Sequence, residues 1–512
     1  MTGVTTEPLD PPVTPAGSPA APPAPGEAGA TAYDGVWAPG RRRLTAALVL
    51  TITLVAFESL AIATVMPVVA DDLGGLGLYG WVFSGFFLGS LLGIVLAGRA
   101  ADRRGTRLPF ATGLVLFSVG LVVGGAAQSM PMLVAGRVAQ GLGAGVIPAV
   151  AYTTVARSYP PDLRPRVFAV FSSAWVVPGL IGPAAASAIA GWSSWRVVFL
   201  ALLPLVGLAA LLALPVLSDR LTGEADRAGE PAEPPADRGE PGDGPLGART
   251  GAGDPPGDDR RRDALVLVGG VAMVLAGLGA HQLWLAVALV VVGAVPAAWA
   301  FARLVPEGTL ALHPGLPAAV ATRGVLTFAF FGTDAYVSLS VTEAHDAPTW
   351  VAGLALTGAT LSWTTGAWVQ QRVVVRRGPR WLVRRGFAVI AVGVAGMIVG
   401  LGPVPVGVIV AAWTVAGLGM GLSYAPISVT VLGTAAPGQE GRASASLQLT
   451  DVLGVSLGTG LVGVFVAVGE GRGWATSSSL TLGFLVTLAV AVGGMVAAGR
   501  LPRRLPGAGA PA

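Results

Sequence analysis

The sequence contains no cysteine and no lysine. Without cysteine there are no disulfides, no thiolate metal sites and no thiol nucleophile. Without lysine there is no Walker A phosphate loop, whose lysine must reach the β and γ phosphates. A nucleotide-driven pump subunit of that class is therefore excluded. Histidine is nearly absent as well. His281, His313 and His345 stand singly, none at a metal-ligating spacing, so nothing supports metal catalysis. Charge is scarce: 12% of residues, against about 25% in soluble domains. A chain with so few charges, 53% hydrophobic residues and a mean hydropathy of +0.70 cannot cover a water-facing surface. Most of it faces lipid.

A spanning helix needs roughly 20 mostly apolar residues. Runs of that kind lie at 44–70, 79–98, 108–128, 131–153, 167–191 and 196–217, then at 264–281, 284–303, 317–341, 349–371, 382–401, 405–433, 443–468 and 477–499. That makes fourteen candidates. The pair 264–281 and 284–303 reads as two spans or as one re-entrant hairpin, and the lengths fit two better. Residues 1–40 are rich in Pro, Ala, Gly and Thr and carry neither an apolar run nor a basic signal-peptide start. They read as a disordered cytoplasmic tail, as does the short end at 501–512. Residues 218–262 mix Gly, Pro, Asp, Glu and Arg with hardly an aliphatic residue. Such a segment cannot bury enough apolar area to offset ordering entropy, and it reads as a disordered cytoplasmic linker. The expected division is a six-helix bundle over 41–217, the linker, two additional helices over 263–304, and a second six-helix bundle over 305–500.

Arginine sets the orientation. One set of loops holds Arg99, Arg103, Arg104 and Arg107, then Arg157, Arg164 and Arg166, then the cluster from Arg372 to Arg385, and finally Arg500, Arg503 and Arg504. The opposite set holds Asp71, Asp72, Glu343, Asp346 and Glu470, with Arg472 the lone clear cation. This alternation holds through all fourteen runs and predicts that both termini are cytoplasmic.

Three stretches carry more than hydropathy. Gly98-Arg99-Ala100-Ala101-Asp102-Arg103-Arg104-Gly105-Thr106-Arg107 resembles the major facilitator superfamily signature G-x-L-A-D-R-x-G-R-K, departing at Ala100 and Thr106. Taken alone, an ordinary positive-inside loop would also fit. Arg137-Val-Ala-Gln140-Gly141-Leu-Gly143-Ala144-Gly145 is similar to that family's R-x-x-Q-G-x-G-A-A. An arginine at that depth faces a cavity or a partner, and Gly141 with Gly145 suits close helix contact. Pro178-Gly179-Leu-Ile-Gly182-Pro183-Ala-Ala-Ala186-Ser187 resembles the antiporter signature G-x-x-x-G-P-x-x-G-G. It keeps Gly182-Pro183 but has Pro178 for the first glycine and Ala186-Ser187 for the last pair. These departures weaken antiport more than family. A worn echo of the first signature stands at Gly366, Gln370, Arg372, Arg377 and Gly378.

The resemblance implies an all-α membrane protein of the major facilitator fold: two pseudo-symmetric six-helix bundles plus two extra central helices, as in the fourteen-helix drug:proton antiporter branch. It further implies that Gly98, Asp102, Arg103, Gly105 and Arg107 form a conformational latch. Pro178, Gly182 and Pro183 would form a helix bend.

Five ionisable residues lie in or near the spans: Glu58, Arg137, Arg323, Asp334 and Asp451. Arg323 sits close enough to the cytoplasmic end to snorkel and is set aside. Glu58 lies about 21 Å above the start of its span, and Arg137 about 21 Å up a ~30 Å core. The two are level, and in the family both helices line the central cavity. Burial favours the neutral form of an acid and a nearby arginine the ionised form. A change in their separation would thus load or release a proton. A static ion pair holding two helices in register is the alternative. Asp451, about 13 Å into its span near Gln448, and Asp334, near Tyr336, are candidates for a second proton site or a substrate contact. Asp334 could equally stand at a watery outer rim. Gln140, Gln448, Tyr336 and Trp175 are the candidate substrate contacts, although Trp175 reads somewhat better as a lipid-facing anchor.

The reading is a secondary transporter in the cell membrane that exchanges protons for an outward-moving amphiphilic or aromatic compound, as in multidrug or antibiotic export. It needs no cofactor, metal or nucleic acid, acts as a monomer and is not an enzyme. An importer or facilitator on the same fold, and a non-transport membrane protein such as a sensor, are the alternatives.

Overall fold

The computed structural model describes residues 35–38, 41–159, 163, 166–167, 170–171, 174–228, 257–280, 282–436 and 439–504. Every regular element among them is helical. The front half comprises α1 (Arg42–Leu73), α2 (Tyr79–Arg104), α3 (Arg107–Gly125), α4 (Met130–Ser158), α5 (Val176–Trp192), α6 (Trp195–Leu200) and α7 (Leu203–Ala228). A hairpin follows, α8 (Gly257–Leu278) and α9 (Leu283–Leu304). The back half comprises α10 (Leu316–Asp334), α11 (Val337–His345), α12 (Thr349–Gly400), α13 (Gly407–Thr434), α14 (Glu440–Gly471) and α15 (Thr476–Ala497). Among the described residues, eleven helical stretches are long and apolar enough to cross a membrane. The chain is a multi-pass membrane protein.

Helix ends depart from the apolar runs where local chemistry overrides hydropathy. The run expected at 317–341 breaks after Asp334 and resumes at Val337. Within the run at 167–191 a turn at Ala174 and Trp175 precedes the helix that starts at Val176. The two runs at 349–371 and 382–401 are joined by helical hydrogen bonding, interrupted at Gly378. Gly378 has φ 77°, a left-handed conformation open to glycine, and a Cβ there would strike the Arg503 carbonyl. Pro379 follows, with its fixed φ suited to restarting a helix. Regular structure reaches into both ends of the linker expected over 218–262. α7 continues to Ala228 and α8 starts at Gly257, because an existing helix adds residues without a new nucleation cost. The remainder of the linker and most of both tails lie outside the described residues.

In the front half, α2 and α3 pack on α4, and α5 and α7 on α1. In the back half, α10 packs on α14 and α15, and α12 on α13. The halves meet where α14 crosses α2 and where α5 crosses α12. The α2–α4 contact depends on small residues. A Cβ on Gly141 would collide with the Phe86 carbonyl, and one on Gly145 with the Ser90 carbonyl. Such backbone proximity supplies the van der Waals contact that drives helix association in lipid. Gly145→Leu should therefore destabilise the protein by about 1–3 kcal/mol or more, read as a lower melting temperature in detergent. An unchanged melt would show that α2 and α4 do not need this approach.

Candidate functional site

Two buried charge clusters occupy the interior. The first joins α1 to α4. Arg137 Nη1 donates to Glu58 Oε1, with the two side chains 2% and 0% exposed. The same nitrogen donates to Gln140 Oε1 at 2.7 Å, and Nε donates to the Val82 carbonyl at 3.2 Å. The guanidinium lies 4.2 Å from the Phe86 ring centroid, a cation–π contact strengthened by burial. Gly141 places α4 against α2 at the level where Val82 and Phe86 reach the arginine. Glu58 Oε2 and Gln140 Nε2 are buried with no hydrogen-bond partner. The cluster is thus charge-balanced but one donor and one acceptor short of full satisfaction.

The second cluster joins α10, α13 and α14. Arg323 Nε donates to Asp451 Oδ1 at 2.7 Å. Its Nη1 donates to the Tyr424 carbonyl at 2.8 Å and to Ser428 Oγ at 3.2 Å. Tyr424 donates to Asp451 Oδ2 at 3.0 Å, and the guanidinium lies over the Tyr424 ring. Arg323 therefore does not snorkel. It is buried and ion-paired, because the carboxylate on α14 and the acceptors on α13 satisfy it in place. Gln448 is half-buried one turn before Asp451 on α14.

Asp334 ends α10 and is half-buried, its Oδ1 accepting the Trp413 indole N–H at 2.8 Å. Tyr336 is fully buried at the seam between the halves. It donates to the Thr459 carbonyl at 2.7 Å and stacks at a tilt on Tyr79, 5.3 Å between centroids. Beside it, Ser84 Oγ meets the Ser456 carbonyl at 3.1 Å and Thr459 Oγ1 at 3.2 Å. The Gly77 N–H donates to Glu470. On the other crossing, Ser187 and Thr349 hydroxyls share a hydrogen bond of 3.2 Å. The contacts between the halves lie toward the end of the molecule bearing Asp71, Asp72, Glu343 and Glu470, where they form a seal. Sequence reasoning missed that seal; the glycines at 80 and 463, whose backbones touch, were its only trace.

Gly182, Pro178 and Pro183 are buried in α5, facing α1 and α12. Trp175 caps α5 and is exposed beside Val176 and Val177. Of the latch residues, Gly98 lies within α2, and the side chains of Asp102 and Arg103 lie outside the described residues. Gly105 turns the chain with φ 69°, and exposed Arg107 starts α3. A groove of about 460 Å³ between α3 and α7 is lined by aliphatic residues such as Val119 and Val206. It contains no ionisable group and lies apart from both clusters.

Known proteins resemble this chain in sequence and in fold. The chain is 27% identical over 471 residues to a Mycobacterium tuberculosis protein named "Probable multidrug-efflux transporter", covering 89% of this chain and 94% of that one. Multidrug resistance protein 3 of Bacillus subtilis is 28% identical over 162 residues, 32% of either chain. Among solved structures, a D-xylose-proton symporter superposes with a TM-score of 0.61 at 14% identity, over 90% of this chain and 98% of that one. A bacterial homologue of the human lysosomal transporter Spinster, inward-facing and unoccupied, gives 0.59 at 15% identity, over 90% and 96%. These two share the fold. The sequence profile of the Major Facilitator Superfamily matches residues 48–459. The chain belongs to the Major Facilitator Superfamily, and it is a membrane transporter rather than an enzyme.

Proposed function

We propose that this transporter exports small amphiphilic or aromatic compounds from the cell in exchange for protons, with Glu58 as the proton carrier. The observation that carries the reading is the unpartnered Glu58 Oε2 inside a sealed, arginine-paired cluster. A carboxylate there accepts one bond from Arg137; a carboxylic acid gains an O–H donor and changes what the cluster needs. A purely structural pair would be expected to satisfy both oxygens. Moving α1 relative to α4 alters the arginine's hold and with it the relative stability of the protonated acid. Relatives named for multidrug efflux support the outward direction.

The chain crosses the membrane fourteen times in this reading. The 52-residue α12 would extend about 78 Å as one rod, more than twice a ~30 Å core, so its interruption at Gly378 separates two crossings. The shorter apolar α5 and the charged-ended α8 supply two further crossings. Both termini and the arginine-rich loops lie in the cytoplasm, by the arginine bias of short loops. Gly98, Asp102, Arg103, Gly105 and Arg107 act as the latch on that side, and Pro178, Gly182 and Pro183 let α5 flex against α12. The protein acts as a monomer in the cell membrane.

The direct test is proton movement upon adding substrate. Vesicles reconstituted with the protein and loaded with a pH-sensitive dye are exposed to a fluorescent amphiphile. Antiport predicts proton flux opposite in direction to the amphiphile. Co-directional flux would instead establish a symporter, and no proton flux a facilitator.

A further inference from the structure

The back half carries a constellation that proton exchange at Glu58 leaves unused. Starting at Asp334, the Trp413 indole bonds to the carboxylate, and Phe330 stacks on Trp413 with centroids 4.8 Å apart. Trp363 meets Phe330 edge-on at 5.7 Å and Phe331 at 6.3 Å. Tyr424 meets Trp363 at 5.4 Å and donates to Asp451. A continuous aromatic wall thus runs between two acids, built from α10, α12 and α13. Arg323, Phe330 and Asp334 follow at spacings of seven and four on α10, which puts them on one face. The wall is about 17 Å from end to end by helical rise.

Its two layers differ in burial. Phe330 and Trp413 are buried and form the backing. Phe331, Trp363 and Tyr424 are half-buried, as is Asp334, and form the outer layer. The two acids differ in charge compensation. Asp451 is neutralised by Arg323. Asp334 has a neutral indole as its hydrogen-bond partner, and it stands at the C-terminal end of α10, where the helix dipole adds negative potential. Offset stacking and cation–π attraction make aromatic faces beside an uncompensated carboxylate a receptor for flat cations.

We propose that this wall is the substrate-binding surface, taking a planar aromatic molecule with its rings against Trp363 and Tyr424 and a single cationic nitrogen at Asp334. The assignment rests on the transporter reading above and divides the labour: the front half handles the proton, the back half the cargo.

Equilibrium binding to purified protein in detergent, with no gradient present, tests it independently of direction and of proton coupling. The probes are 9-aminoacridine, which is cationic, and acridine, its largely neutral ring analogue, followed by fluorescence polarisation. Trp363→Ala should weaken both by roughly tenfold, the scale of one lost aromatic contact, and Trp363→Phe should restore most of that. Asp334→Asn should weaken 9-aminoacridine by roughly tenfold and leave acridine unchanged. Melting curves establish that each variant is folded, and Trp363→Leu, which keeps bulk but not the aromatic face, replaces the alanine variant with the same expected loss should that variant fail to fold. Unchanged binding of both probes by Trp363→Ala would overturn the wall. An equal loss of both probes in Asp334→Asn, or a loss of neither, would overturn the placement of the cation.

Discussion

Arg137→Ala should abolish substrate accumulation and destabilise the purified protein. Removing the guanidinium leaves Glu58 in a fully buried site with its main partner gone, and it strands Val82 and Gln140 acceptors as well. Breaking a buried ion pair from one side costs about 3–5 kcal/mol, whereas replacing both members with apolar residues is often neutral. The double variant Glu58→Leu/Arg137→Leu should therefore melt closer to the wild type than Arg137→Ala does, while remaining inactive. The measurement is a pair of melting curves in detergent beside a transport assay in vesicles. A double variant less stable than Arg137→Ala would mean that the pair is held by packing rather than by mutual neutralisation.

The second large effect is expected at the seal. The backbones of Gly80 and Gly463 touch, and a Cβ on Gly463 would stand about 2.6 Å from the Gly80 Cα and 2.7 Å from the Tyr336 hydroxyl. Gly463→Leu therefore cannot be accommodated with α2 and α14 in contact. Overpacking of this kind costs about 1–3 kcal/mol, and it acts selectively on the sealed arrangement. Transport should fall by at least about tenfold as the closed population is lost. The chain has no cysteine of its own, so a single introduced thiol reports without background. Ser84→Cys, at a fully buried position in the seal, should react with a water-soluble maleimide roughly tenfold faster when combined with Gly463→Leu. Equal labelling rates would show that the seam does not open by separating these helices.

The Glu58–Arg137 pairing is legible in the sequence because each residue sits in a long apolar run with a visible start. Counting rise per residue placed both at one depth. The pairing of Arg323 with Asp451 was hidden by the same count. Arg323 lies near an arginine-rich end, where snorkelling is the ordinary outcome, and nothing in α10 itself announces a carboxylate 128 residues away. The stronger clue was Asp451, an intramembrane acid in need of a cation on a neighbouring helix. Tyr336 was read as a substrate contact from its proximity to Asp334. The break after Asp334 turns its ring toward α2 and α14, a setting that nothing in α10 alone reveals. Hydropathy gives the apolar extent of a helix but not its ends. Hydropathy therefore does not mark the end of α7, which runs on through the charged stretch at 218–228 at little cost.

The claim on which the rest depends is that Glu58 carries the proton. Inverted vesicles containing the wild type or Glu58→Gln can be loaded with a fluorescent amphiphile, with and without an imposed pH gradient. Glutamine keeps the size and accepts a hydrogen bond from Arg137 but cannot exchange a proton. The wild type should accumulate the amphiphile only when the gradient is present, and Glu58→Gln should equilibrate it without accumulating it. Full gradient-driven accumulation by Glu58→Gln would contradict the account and reduce the buried pair to a strut between α1 and α4.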